Sequence, residues 1–314
     1  DDDLSIAPVD SIVPALERIS ILSAPETVQE PLLVHGLKGT ARALFVAHSL
    51  KRTPRPTVCI LPTDKEAETF SEDLKFFLPR DNSLTARYYP AWGVSINDGL
   101  SPKNDIVAAQ IECLYDLLSV VSPILVTSAE ALLQRLMPQS EFMTATLSLA
   151  PGHVFPLSEL INYFVQWGYR RVPLVEEKGE IGVRGGIIDF FPPLADCPIR
   201  IEYEGDEIDS VRLFDSASQR STNPVEEATI LPMRFFPTSR LQASLRTVEE
   251  DLDRHEAPHR EHLRITENIK SGLPFPGVEF FLPYIYPDLD SFDAYLPKNT
   301  LVWAFDPPQQ FQIC

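Results

Sequence analysis

The chain has 314 residues and a formal charge of −18, from 45 acidic and 27 basic side chains. Its 44% hydrophobic content is that of a globular protein long enough for two or three domains, and no apolar run approaches the roughly 20 residues of a membrane helix. So acidic a surface disfavours nucleic-acid binding by this segment unless its cations are concentrated, because affinity for DNA comes mostly from neutralising phosphates.

The first residues, DDDLSIAPVDSIVP, lack the basic start and apolar core of a secretory signal, which predicts a cytoplasmic protein. Residues 31–137 alternate strand and helix. PLLVHG and TVCILPT are short apolar runs ending in turn residues, the pattern of buried parallel strands. Between them, 40–51 reads as a helix with Ala43, Leu44, Ala47 and Leu50 along one face. DKEAETFSEDLKFFL predicts a second helix, with Ala67, Phe70, Leu74 and Phe77 at helical spacing. ARYYP is a third strand. Ser101-Pro102 opens a helix continuing through IVAAQIECLYDLLS, and PILVTSAEALLQRL gives a strand followed by a helix. Together these predict an α/β layer with a mostly parallel sheet. Cys59, Cys113, Cys197 and Cys314 are too scattered for a CxxC pair, and Cys59, within an apolar strand, reads as a buried thiol.

The loop GLKGTARA between the first strand and helix has the outline of a phosphate-binding loop, G-x-x-x-x-G-K-[ST], with Gly36 in the first position and Gly39 inside the gap. The residues that hold phosphate are replaced. Ala41 adds a Cβ where backbone amides must approach a phosphate closely. Arg42 substitutes a forked guanidinium for a compact ammonium. Ala43 has no hydroxyl for Mg²⁺. The segment therefore reads as the first turn of a packing helix, without nucleotide hydrolysis.

From about residue 140 the pattern changes. ATLSLAPGHVF, GEIGVRGGIIDFFP, PIRIEYEGDEIDSVRLFD and EEATILPMRFFP read as strands with Gly-bearing turns, predicting an antiparallel sheet, and LSELINYFVQWGY is the one clear helix among them. A charged helical stretch over 238–270 is interrupted by Pro258. The end, NTLVWAFDPPQQFQIC, returns to a buried strand expected to rejoin the first sheet, so that the middle is an insertion. It has no capping signal or polar tail, which predicts a piece of a longer protein. His255-Glu256-Ala257-Pro258-His259 matches the zinc-peptidase pattern H-E-x-x-H. That chemistry needs both histidines on one face of a continuous helix, which Pro258 interrupts; surface histidines around a helix break are the better reading, and no metal site is expected.

Residues 179–192, GEIGVRGGIIDFFP, followed by IRIEYEGDEIDSVRLFDSASQ, resemble a segment shared by the bacterial repair proteins UvrB and Mfd, the transcription-repair coupling factor. GLKGTARAL, YYPAWGVSINDGLSPKNDI and GLPFPGVEFFLPYIY resemble the coupling factors more closely; UvrB has an intact phosphate loop and a longer aromatic hairpin. The resemblance runs from about residue 12 to 310. It implies an α/β fold in which a parallel-sheet domain of degenerate P-loop NTPase type (1–138 and 229–314) is interrupted by a smaller α+β domain with an antiparallel sheet (139–228). It also implies that Asp306 is the remnant of a second nucleotide motif, with Pro307 where a Glu would stand.

Functionally, the resemblance implies that the inserted domain docks the excision-repair protein UvrA. The matching residues are Arg170, Arg171 and Arg184, with Ile188 as an added apolar contact unless it is strand core. Internal pairing with Glu176, Glu177 or Glu180 is the alternative for each arginine. UvrB has a further Arg where Gly182 falls. This segment would need no cofactor. In the complete protein, RNA polymerase binding, DNA contacts and an ATP- and Mg²⁺-dependent translocase would lie beyond residue 314, and the C-terminal part would cover the UvrA surface until activation. The competing reading is a working nucleotide- and DNA-binding repair protein of UvrB type.

Overall fold

The computed structural model describes residues 34, 36–79, 84–193, 195–255 and 258–306. The strand expected over 31–36 lies, except for Val34 and Gly36, outside these residues, as do Glu256, Ala257, Pro307 and Cys314. In chain order the strands are β1 (Thr57–Leu61), β2 (Ala86–Tyr89), β3 (Ile124–Ser128), β4 (Leu147–Leu149), β5 (Arg170–Arg171), β6 (Glu180–Arg184), β7 (Ile187–Phe190), β8 (Ile199–Glu204), β9 (Glu207–Phe214), β10 (Ser221–Pro224), β11 (Ala228–Ile230) and β12 (Leu301–Ala304). The helices are α1 (Ala41–Arg52), α2 (Asp64–Phe77), α3 (Asn104–Ser119), α4 (Ala129–Leu132), α5 (Gln139–Ala145), α6 (Leu157–Gln166), α7 (Thr238–Ala243), α8 (Leu245–Arg254), α9 (His259–Ser271) and α10 (Leu282–Ile285). The fold is mixed α/β, with one parallel and one largely antiparallel sheet. Its described residues divide into two compact units, one formed by those up to 91 with 116–132 and those after 295, the other by 92–115 and 133–295.

The first unit holds the parallel sheet, ordered β12-β1-β3-β2. The terminal strand does rejoin it, with Leu301 opposite Thr57 and Trp303 opposite Cys59. β1 and β3 are almost wholly buried because residues on both faces are apolar or small. Helix α2 starts where the Thr63 side chain accepts from the Glu66 amide at 3.3 Å, and it buries Ala67, Phe70 and Leu74 against the core shared with Val46, Leu50, Leu61 and Val126. Asp64, in its first turn, ties strand ends together by accepting from the Tyr88 hydroxyl at 2.6 Å, the Ala91 amide at 2.9 Å and the Ser128 hydroxyl at 3.1 Å.

The second unit holds a six-stranded sheet ordered β10-β9-β8-β7-β6-β5 and the pair β11-β4. Helix α6 covers one face, its Leu160 and Phe164 packing with Ile181, Ile188, Phe190 and Ile201. Several expectations are corrected. The sheet is antiparallel except at its edge, where β5 runs parallel to β6; the chain loops back between them instead of turning as a hairpin. Helix α3 opens at Asn104, after Pro102, because the Ser101 hydroxyl is engaged elsewhere, donating to Glu279 at 2.5 Å and accepting from the Gly277 amide at 3.0 Å. Helix α5 was not expected; Pro138 accepts from the amides of Glu141 and Phe142 at its start. Of the strand expected over 145–155 only Leu147–Leu149 and an isolated bridge at Val154 form. The charged stretch breaks at Ser244 as well as before His259, giving three helices.

Candidate functional site

The arginine-bearing edge of the six-stranded sheet is built from the end of α6. Gly168 turns the chain out of the helix at φ 94°, a conformation glycine adopts without steric cost. Tyr169 then anchors the turn, buried, with its hydroxyl donating to the Leu231 carbonyl at 2.8 Å. Burial pushes the Tyr169 hydroxyl well above its usual pKa. With Tyr169 inward, Arg170 and Arg171 emerge on β5, both exposed. The Arg170 amide donates to the Gly179 carbonyl and the Val172 amide to Ile181, each at 2.8 Å.

Two buried carboxylates hold the arginines in place. Glu180, its side chain 7% exposed, accepts the amides of Glu176 at 2.8 Å and Glu177 at 2.9 Å on one oxygen and Arg170 at 2.5 Å on the other. It therefore fixes the loop 172–179 and the guanidinium together, and Arg170 still projects, 66% exposed, with Glu177 at 3.3 Å. Asp189, 3% exposed, is gripped by both branches of Arg200 at 2.7 and 2.9 Å and by Arg184 at 3.3 Å. Arg184 stays 55% exposed. Arg171 makes no ion pair among the described residues. Glu180 and Arg184 lie on one side of β6, four residues apart, or about 13 Å at roughly 3.3 Å per residue. Internal pairing thus holds for Arg170 with Glu177 and Glu180, and Arg184 pairs with a partner not foreseen, Asp189.

Ile188 is corrected. It is 0% exposed, opposite Val183 on the core face of the sheet. Alternation along a strand places it on the side away from Arg184, so it offers no surface contact. The apolar neighbour on the arginine side is Ile187, opposite Arg184 in register and half-buried, and the alternation within IIDF is the signal that could have located it. Gly182 also gains a local reason. A Cβ there would lie 3.3 Å from Val175 Cγ2 and 3.5 Å from the Val172 carbonyl, because the loop 172–175 covers the position.

The loop residues gather at the other sheet. Gly36 and Gly39 have φ of 86° and 55°. The amides of Ala41 and Arg42 donate back to Lys38 and Gly39 at 3.3 and 3.2 Å, so the loop winds directly into α1. Ala43 is completely buried on the core face of that helix. Arg42 reaches across 264 positions to Asp306, Nη1 to Oδ2 at 2.8 Å, and lies 6.0 Å from the Phe305 ring centre. Asp306 itself has φ 47°. The two charged remnants expected at opposite ends of the sequence are therefore partners of each other. His255 ends α8 and His259 begins α9, so the H-E-x-x-H histidines sit on different helices; the side chains of His255 and His262 lie 3.5 and 3.3 Å from Asp251 and Asp253. Among the described residues no helix is long and apolar enough to cross a membrane.

The family model of the UvrB interaction domain matches residues 147–236, the stretch that builds the six-stranded sheet and carries Arg170, Arg171 and Arg184. The chain carries a UvrB interaction domain. Over a longer span it is 31% identical to a transcription-repair-coupling factor of Myxococcus xanthus, covering 87% of this chain and 24% of that protein. It is 30% identical to the Escherichia coli K12 factor (88% and 24%) and 28% identical to that of Bacillus subtilis (88% and 24%). The chain is thus a relative of the transcription-repair-coupling factors that spans about a quarter of their length. Within its UvrB interaction domain Arg170 and Arg171 on β5 and Arg184 at the end of β6 face solvent, as do Lys178, Arg212 and Arg220, and the core face is closed by α6.

Proposed function

We propose that this chain is the UvrB-like N-terminal module of a transcription-repair coupling factor, and that it recruits UvrA to RNA polymerase stalled at a lesion. The observation that carries the reading is the arginine edge of the UvrB interaction domain. Arg170, held by buried Glu180, and Arg184, held by buried Asp189, project outward on an acidic chain beside exposed Arg171, unpaired among the described residues. Arginine at such an edge suits a protein interface, since its weakly hydrated planar fork accepts carboxylates in two contacts. Arg171, without an internal competitor, is the group most available.

In this reading the docking domain spans 139–228, between two parts of a domain of P-loop ancestry, 1–138 and 229–314. The Arg42–Asp306 pair supports the loss of nucleotide chemistry, because each group occupies the other where a phosphate and a metal would be required. The complete protein, cytoplasmic, would bind polymerase and DNA and spend ATP with Mg²⁺ through parts beyond residue 314, and its C-terminal part would cover the arginine edge until activation. The decisive experiment is capture of purified UvrA by the wild-type chain, Arg171→Glu and Arg184→Glu. Charge reversal at Arg171 is expected to abolish capture and at Arg184 to weaken it by about tenfold or more; undiminished capture by both would remove the site assignment.

A further inference from the structure

The second unit also encloses a cavity of about 310 Å³ beside the arginine edge, with Arg170, Lys178, Arg234 and Glu279 in its wall. Arg234 follows β11 and is fixed against the turn that leads into β5. The neighbouring Met233 amide donates to the Trp167 carbonyl at 2.9 Å, and the guanidinium lies over Gly168 so closely that a Cβ there would run into it. A guanidinium carries five N–H donors and no acceptor. Arg234 uses one contact, Nη1 to the Thr238 hydroxyl at 3.4 Å, and makes no ion pair among the described residues. Burial works against its charge and lowers its pKa.

The nearest carboxyl in the wall does not compensate at contact distance. Glu279 is held by the Ser101 hydroxyl at 2.5 Å, and Ser101 is itself held by the Gly277 amide. Burial also raises the Glu279 carboxyl above its ordinary pKa, though Arg234 and the Ser101 bond oppose this. The cavity therefore contains a half-buried, planar cation with unused donors, an arrangement that an anion would complete. Two carboxyls in the wall, Glu177 and Glu279, disfavour a dianion such as phosphate. A single carboxylate, flat and monoanionic, matches the guanidinium fork.

We propose that this cavity is a carboxylate-binding site in which Arg234 receives an acidic side chain of the docking partner. This rests on the docking reading above, and charge complementarity supplies the occupant: Arg170 belongs both to the cavity wall and to the exposed strand β5, so a partner seated on that strand has the opening within reach.

The test measures affinity of purified UvrA for the chain in four forms: wild type, Arg234→Met, Glu279→Gln and Arg171→Glu. Methionine keeps most of the side-chain length and removes charge and donors. Arg234→Met is expected to weaken binding about tenfold or more, with its urea midpoint equal to or above wild type because a half-buried charge without an ion-pair partner among the described residues is gone. Glu279→Gln should bind as tightly as wild type or more tightly. If Arg234→Met binds like wild type while Arg171→Glu fails to bind, the cavity assignment is overturned and the docking reading stands. If both bind like wild type, the docking reading falls. An Arg234→Met chain that unfolds, and is restored by adding Glu279→Gln, would make Arg234 an internal partner of Glu279 and overturn the proposal.

Discussion

Asp189 illustrates how much one buried carboxylate organises. It lies on the side of the sheet opposite the apolar core and satisfies Arg200 through two contacts and Arg184 through one. Replacing it with alanine would leave the Arg200 guanidinium, 14% exposed, without its anion. Asp189→Ala is expected to cost about 3 kcal/mol, read from urea unfolding, since removing one partner of a buried pair leaves an uncompensated charge. Its neighbour in function, Glu180, was within reach of sequence reasoning, because a glutamate ten residues after Arg170 in a short looped segment is an obvious partner. The Asp189–Arg200 pair was not, because it depends on which residues β7 and β8 set opposite each other.

At the scale of elements, the turn at Gly168 decides where β5 begins. It combines a positive φ with the close approach of Arg234, whereas Gly205, in the β8–β9 turn, has φ 65° with open space around it. Gly205→Ala should therefore cost only the conformational strain, about 1 kcal/mol. Gly168→Ala should cost more, because its φ of 94° lies farther from the left-handed helical well than the 65° of Gly205 and the Arg234 side chain must also swing aside; paired urea titrations of the two variants check the difference. The kinds of element were largely legible in the sequence. Runs between Gly-bearing turns marked β6 to β9, and helical spacing marked α1 and α2. The parallel direction of β5 was hidden because a two-residue strand has no period and the loop 172–179 contains no hairpin signal. For Ile188 the sequence left surface contact and strand core both open, and the pairing with Val183 decides for the core.

For the whole molecule, the parallel sheet joins chain segments that lie before and after the UvrB interaction domain in the sequence, and Arg42 with Asp306 closes its loop end. That pair is partly exposed, at 28% and 49%, so Asp306→Ala should change stability by less than about 1 kcal/mol. The same variant, like the wild type, should give no heat on titration with ATP and Mg²⁺; saturable Mg²⁺-dependent binding would count against an emptied loop.

The sequence by itself determined most of the element types, the motif shared with UvrB and the coupling factors, and the replacement of phosphate-loop residues by Ala41, Arg42 and Ala43, because a hydroxyl absent at Ala43 or a proline set into a helix acts locally whatever surrounds it. Only the tertiary structure decided that Arg42 meets Asp306, that Ile188 faces the core, that Asp189 is shared by two arginines and that Arg234 lines a cavity beside Arg170. Those are questions of which distant side chains become neighbours, and the energy of a charge or an apolar group depends on its neighbours more than on its identity.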